Sequence, residues 1–225
     1  MVDLIIAAQN DASTLRAVLA AVPARHLRSI VVVDNDSRDG TGQMAIDAGA
    51  IVLREGRVGY GAACKRAVLH LEALPRPPDV VVFMAADGSD DPADIPSLLL
   101  PVRRDNAELV IGVRQREGRP VRQGRSRVAL GLISAIYRHR FEDIGPFRAV
   151  GFPALVALGM RDAGAGWNVE MLVKAVNFGL HIVEVPVASR GEPGPTRGAG
   201  MEDLIDSVGA TGRVLFRILR NATAR

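Results

Sequence analysis

The stretch "VVVFMAADGSDDPADI", Val80 to Ile95, passes from an uninterrupted apolar run into four carboxylates, Asp87, Asp90, Asp91 and Asp94, and then into a helical pattern opened by Pro92. An apolar run without polar alternation suits a strand covered on both faces, and proline is tolerated in the first turn of a helix. The same unit of strand, polar turn and helix recurs through the first half of the chain. "DLIIAA" (3–8) precedes "STLRAVLAAV" (13–22), with Ser13 placed to cap it, and "SIVVVD" (29–34) precedes "GTGQMAIDAG" (40–49). "AIVLRE" (50–55) leads to "YGAACKRAVLHLEAL" (60–74), "DVVVFMAA" (79–86) to "PADIPSLLLPVRR" (92–104), and "AELVIGVR" (107–114) closes the series. This alternation specifies an α/β fold with a mostly parallel central sheet and helices on both faces.

Beyond Arg114 the pattern loosens. "REGRPVRQGRSR" (116–127) is a Gly, Pro and Arg-rich connection, "VALGLISAIYRHRF" (128–141) reads as a helix and "DIGPFRAV" (143–150) as a strand or turn. "GWNVEMLVKAVNFGL" (166–180) reads as a helix leading into the strand "HIVEVPV" (181–187). By composition "RGEPGPTRGAG" (190–200) is a flexible loop, and the final amphipathic segment from Met201 is a docking helix with a basic end.

Composition narrows the function. At 225 residues the chain is long enough for one well-buried domain, and 48% hydrophobic with 24% charged residues is ordinary for a globular protein. No window approaches the length of an apolar span, and the start "MVDLIIAAQND" lacks a basic region and a long apolar core, so a cytoplasmic protein without a membrane span is expected. The single cysteine, Cys64, excludes an internal disulfide and a multi-cysteine zinc site, and the four histidines have no metal-ligand spacing. Net charge is +3, but six arginines crowd between Arg114 and Arg127, which implies an anionic ligand. No nucleic-acid partner is expected, and a homo-oligomer is left open.

In open parallel sheets ligands bind beyond the carboxyl ends of the strands. That rule selects "AAQND" after the first strand, "VDNDSRDGT" after the second, "AADGSDDP" after the fourth and "GVR" after the fifth. The carboxylate of Asp34 can accept from a ring N–H or a ribose hydroxyl, or it can close an Asx-turn that leads into the next helix. The glycines of "GRVGYGAAC" lack the third glycine of a dinucleotide loop and follow the wrong strand, so they either let backbone N–H groups approach a ligand or allow close packing. Asp87, at its strand end, is suited to hold Mg²⁺ or Mn²⁺ against nucleotide phosphates. Asp90, Asp91 and Asp94 are expected to serve the start of the helix at Pro92.

Taken in order, these motifs resemble family 2 glycosyltransferases of the GT-A fold, specifically the dolichyl-phosphate-sugar-synthase-like group. "LIIAAQNDASTL", "IVVVDNDSRDGT", "REGRVGYGAAC", "VVFMAADGSDDPADI", "LVIGVR", "DIGPFRAV" and "GWNVEMLVKAVNFGLHIVEVPV" carry the resemblance over roughly residues 2–190. It implies one GT-A domain over 1–225, with 1–114 the nucleotide-sugar-binding half, 115–190 the acceptor side and 191–225 a loop and terminal helix. It further implies an inverting hexosyltransferase whose donor is a UDP-sugar, or in second place a GDP-sugar, and whose acceptor is a small molecule or a lipid phosphate. By match to the motifs, Ala7, Ala8 and Asp11 would line the nucleotide, Asp34 would contact the base, and Gly59 and Lys65 would flank it. Ala86 and Asp87 would face the diphosphate, with Asp87 on its Mg²⁺ or Mn²⁺, and Arg114 would hold phosphate. Asp143 and Glu170 are the acceptor-side carboxylates suited to a general base, which a phosphate acceptor would not need; for Glu170 an ion pair with Arg148 is the competing role.

The chain departs from the family pattern at Ala85, where the first acid of an Asp-x-Asp pair is expected, and at Ala7 and Gln9, where proline and an aromatic are common. The lost acid motivates an alternative, a non-catalytic nucleotide-sugar-binding homologue. A sugar nucleotidyltransferase would need a Gly-rich basic loop after the first strand, which "AAQNDAS" does not supply.

Overall fold

The computed structural model describes residues 1–116, 119–120, 130–131 and 140–190. The first half forms as the sequence indicates: β1 (Val2–Ala8), α1 (Ala12–Ala21), β2 (Ser29–Asp34), α2 (Thr41–Asp47), β3 (Ile51–Arg54), α3 (Tyr60–Glu72) and β4 (Val80–Ala85), then a 3₁₀ turn (Pro92–Asp94), α4 (Ile95–Arg104) and β5 (Leu109–Arg116). The later elements are β6 (Arg119–Pro120), β7 (Arg148–Gly151), α5 (Phe152–Leu158), α6 (Trp167–Asn177) and β8 (Ile182–Ala188). The helix expected over 128–141 lies outside the described residues, save Leu130 and Gly131, which are helical, and Arg140 and Phe141, which are not. The expected loop and terminal helix beyond Arg190 and most of the Arg-rich connection also lie outside them.

The described strands form one sheet in the order β3-β2-β1-β4-β7-β5-β6, with β8 added on β5. Strands β1 to β4 are mutually parallel where they pair, and β8 is parallel to β5. β7 is inserted antiparallel between β4 and β5, pairing Val80↔Gly151 through Phe83↔Arg148 on one side. The sheet is therefore mostly parallel, with two reversed strands, β7 and the two-residue β6, that the parallel series did not foretell.

Strand periodicity divides the core in two. Ile5, Val31, Val33, Val81, Phe83 and Ile111 face α3, α5 and α6, while Leu4, Ile6, Val32, Val82, Met84 and Val110 face α1, α2 and α4. Successive residues of a strand point to opposite faces, so a run that is apolar at every position is buried on both. This is why "LII", "VVV" and "VVVFM" carry no alternation.

The topology also fixes where a ligand can enter. β2 and β3 lie to one side of β1 and β4 lies to the other. The strand order thus reverses between β1 and β4, and the crevice outside the carboxyl ends at such a reversal is where open sheets of this kind bind ligands.

Candidate active site

Small residues end the two strands that flank the crevice. β1 and β4 pair up to Ala7↔Ala85; Ala8 and Ala86 are buried in the core facing α1, α2 and α4, while Ala7, half-buried, packs on the opposite face. Asp11 stands on one side, its backbone N–H donating to Thr41 Oγ1 at 2.9 Å and its carboxylate accepting from the Gln9 N–H at 2.7 Å. Burial pushes the Asp11 carboxyl up, the Gln9 bond pulls it down, and the charges of Asp87 and Asp39 push it further up. Asp87 faces it across the crevice, with Oδ1 accepting from the Ser89 N–H at 2.9 Å.

The β2 exit is tied to the same edge. Asp34 Oδ1 accepts from the Ser37 N–H at 3.0 Å, closing a turn, and a Cβ at Gly42 would lie 2.5 Å from Asp34 Oδ2. The next residue, Asn35, is a staple that the sequence reading missed. Its amide donates to the carbonyls of Glu55 and Arg57 at 3.0 and 2.9 Å, and its Oδ1 accepts from the Gly59 N–H at 2.8 Å. One side chain thus welds the β2 exit to the loop that opens α3.

The glycines of that loop serve packing. A Cβ at Gly59 or Gly61 would lie 2.3 Å from the carbonyl oxygen of Ala163 or Asp162, respectively. The approach lets Gly61 and Ala62, at the start of α3, donate their N–H groups to the carbonyls of Gly164 and Ala163 at 3.2 and 2.8 Å. Gly61→Ala is accordingly expected to cost about 1–3 kcal/mol, read as a lower urea midpoint at unchanged slope. Lys65 is exposed on α3.

Glu170 organises the same loop from the other side. Its buried carboxylate accepts from the N–H groups of Arg161 and Asp162, the latter at 2.7 Å, and pairs with Lys174 at 2.9 Å. The partner is Lys174, not Arg148. The wholly buried Arg148 instead donates to the carbonyls of Asn168, Ile144 and Gly145, and burial pulls its guanidinium down to about 10.

Arg114, at the end of β5, is held by Asp143. Nε donates to Oδ2 at 2.8 Å and Nη2 to Oδ1 at 2.7 Å, in the two-pronged geometry that fixes a guanidinium plane. The Arg114 and Gly145 N–H groups also donate to the Asp143 carboxylate, at 3.2 and 2.7 Å. Both oxygens of Asp143 carry two donors.

The acidic loop after β4 divides its labour differently from the expectation. Asp91 does cap the turn, accepting from the Ala93 N–H at 2.9 Å, and it pairs with Arg190 at 2.9 Å. Asp94 reaches to β8 and accepts from the Ala188 N–H at 2.6 Å. Asp90 serves no helix start. It is 1% exposed, Oδ2 accepts from the Ala85 N–H at 3.3 Å, and Oδ1 has no partner. Burial pushes its carboxyl up to about 6 against the pull of Arg114 and the Ala85 N–H, with Asp87 and Asp143 adding to the rise. The signal in the sequence was Gly88, whose φ of 77° turns the chain back toward the strand it has just left.

A folded-state pKa above the unfolded value means that protonation stabilises the fold. For Asp90 that stability is complete below about pH 4 and lost as pH rises through about 6. Asp90→Asn removes this loss, and after the cost of an unpaired amide it is expected to raise stability at neutral pH by about 1–2 kcal/mol without ligand. Melting curves across the acid range for both proteins check this.

The carboxylates of Asp11, Asp34 and Asp87 thus stand at the carboxyl-end edge of the parallel strands, where sheets of this kind bind ligands. The model of the family described as "Glycosyl transferase family 2" matches residues 3–161, and the chain belongs to that family. It is 34% identical over 200 residues to an uncharacterized glycosyltransferase of Mycobacterium tuberculosis, covering 83% of this chain and 84% of the relative. It is 33% identical over 174 residues to the undecaprenyl-phosphate mannosyltransferase of Micrococcus luteus, covering 70% of each. The fold is that of glucosyl-3-phosphoglycerate synthase from Mycobacterium tuberculosis, with a TM-score of 0.80 at 20% identity over 96% of this chain and 79% of the other. That synthase has also been solved with Mn²⁺, uridine diphosphate and glucosyl-3-phosphoglycerate; there the TM-score is 0.78 at 21% identity, over 98% of this chain and 79% of the other. The chain is thus a GT-A glycosyltransferase. Among the described residues no helix is long and apolar enough to cross a membrane.

Proposed function

We propose that the enzyme transfers a hexose, with inversion, from a UDP-sugar, or in second place a GDP-sugar, to a phosphate-bearing acceptor. The observation that supports the donor reading is that Asp11 and Asp87 stand at the carboxyl ends of β1 and β4, where the strand order reverses, near enough for the charge of Asp87 to act on Asp11. Ala7, Ala8 and Asp11 line the nucleotide, Asp34 contacts the base, and Gly59 and Lys65 flank it. Ala86 and Asp87 face the diphosphate.

The residues fit a divalent cation only in part by themselves. Among the described residues there is no group of three or more acidic, histidine or cysteine side chains placed to hold a metal. Magnesium-type ions are commonly held by one or two carboxylates plus substrate phosphates, and Asp87, half-buried just after β4, supplies one such carboxylate. When bound, such an ion neutralises negative charge developing on the leaving diphosphate.

The acceptor side favours a nucleophile that is already anionic. The carboxylates of Asp143 and Glu170 are both buried and engaged by several donors, so each acts here as a positioning group. Asp143 fixes the guanidinium of Arg114, the residue proposed to hold phosphate, and Glu170 holds the loop that seats α3. A phosphate oxygen attacks the anomeric carbon without giving up a proton, so no base is required of either. The undecaprenyl-phosphate mannosyltransferase relative supports this class of acceptor by its name.

Release of UDP from UDP-glucose, and of GDP from GDP-mannose, measured with and without a polyprenyl phosphate, tests the reading. Acceptor-dependent release of one nucleotide is expected; release that depends on a neutral sugar acceptor and ignores the phosphate would overturn the acceptor assignment.

A further inference from the structure

Asp90 is the buried carboxylate that the proposed chemistry leaves unused, and its surroundings give it a task. Gly88 at φ 77° and the bond from the Ser89 N–H to Asp87 Oδ1 reverse the chain just after β4. β7 pairs with β4 only as far as Phe83, so the Ala85 N–H has lost its flanking strand. Asp90 Oδ2 takes that N–H, which seats the carboxylate against the residue where β4 ends. A backbone bridge from Asp90 to Ser189 and the bond from the Arg190 N–H to the Ser89 carbonyl hold the turn in place.

Capping a strand end needs only one oxygen. The second, Oδ1, has no hydrogen-bond partner in a residue that is 1% exposed, and among the described residues no cation reaches it as an ion pair. Arg114 acts on it through space, but that guanidinium is turned to Asp143. A buried, unpaired carboxylate is costly, and a neutral amide would cap Ala85 equally well. A water could satisfy the oxygen but not the charge. The charge therefore calls for a positive group brought in from outside the chain, beside Asp87.

We propose that Asp90 supplies the second carboxylate for the divalent cation that accompanies the donor diphosphate, filling from three residues downstream of Asp87 the place left by Ala85. The proposal rests on the donor reading above. It explains how a chain without the first acid of the pair keeps a competent metal position, with Asp90 Oδ1 and the second oxygen of Asp87 as protein ligands and the diphosphate completing the set.

The test is Mn²⁺ affinity, followed by the electron paramagnetic resonance of free Mn²⁺ at saturating UDP, for the wild-type protein, Asp90→Asn and Asp91→Asn. Asp90→Asn is expected to weaken Mn²⁺ by about tenfold or more, with UDP affinity in chelator and the circular dichroism spectrum unchanged. Asp91→Asn, which alters the turn cap and the part-exposed ion pair with Arg190, should stay within about twofold. Asp90→Ser, which can still accept from the Ala85 N–H but carries no charge, should reproduce the loss. Wild-type Mn²⁺ affinity in both Asp90 variants would overturn the proposal while leaving the donor reading intact. Failure of the wild-type protein to bind UDP at all would remove both.

Discussion

Replacing Asp87 with alanine is expected to lower transfer by at least about a hundredfold while leaving the fold intact. Asp87 lies at the end of β4, half-buried, and its only bond within the described residues is to the Ser89 N–H in its own turn. Its removal therefore disturbs little packing. What is lost is the carboxylate proposed to face the diphosphate, and with it stabilisation of the charge on the leaving group. The loss should fall on kcat/KM, and added Mn²⁺ should not restore it. Activity within a few-fold of wild type would place the donor elsewhere.

The second large effect concerns Arg114. Arg114→Met leaves Asp143 buried with its two-pronged partner gone, and loss of one member of such a buried pair costs about 3–5 kcal/mol. Asp143 is 3% exposed, and its remaining donors are the N–H groups of residues 114 and 145. Urea unfolding should show the loss as a lower midpoint. The double variant Arg114→Met with Asp143→Leu should recover much of it, because an apolar pair of similar volume leaves no orphaned charge. The recovered fold is expected to remain inactive, which separates the stabilising role of the pair from the phosphate contact proposed for Arg114.

These expectations depend on features of unequal legibility in the sequence. The parallel half was plain, because strands buried on both faces must be apolar throughout; the helix starts were less so, since α1 begins at Ala12 after Asp11 and Ser13, expected to cap it, lies inside the helix. The site's location followed from topology alone, since polar turns after β1, β2 and β4 can converge only on one edge. The strand or turn read over 143–150 overlaps β7 at Arg148–Gly151, but its four-residue length blurs its bounds and its reversed direction depends on pairing that no local pattern encodes. α5 was missed for the same shortness.

The individual carboxylates were harder still. Asp90, Asp91 and Asp94 look alike in sequence, yet one is buried beside Ala85, one caps a turn and one reaches across to β8. A left-handed glycine two residues earlier decides which way the first of them faces. Likewise, Asp143 and Glu170 offered themselves as bases by type and position, whereas the bonds that engage them are made to Arg114, Lys174 and backbone N–H groups brought together by the fold. Asn35 carries no chemical signature at all, and its three bonds to the loop before α3 emerge only when β2 and β3 are side by side.

The central claim is that the crevice between β1 and β4 holds the nucleotide diphosphate. A crystal structure of the protein soaked with UDP and Mn²⁺ tests it most directly. The account predicts the uracil between the exits of β1 and β2, within reach of Asp11 and Asp34, and the diphosphate beside Asp87 with the ion touching both Asp87 and Asp90. UDP bound away from this edge, or an ion held without either carboxylate, would contradict it.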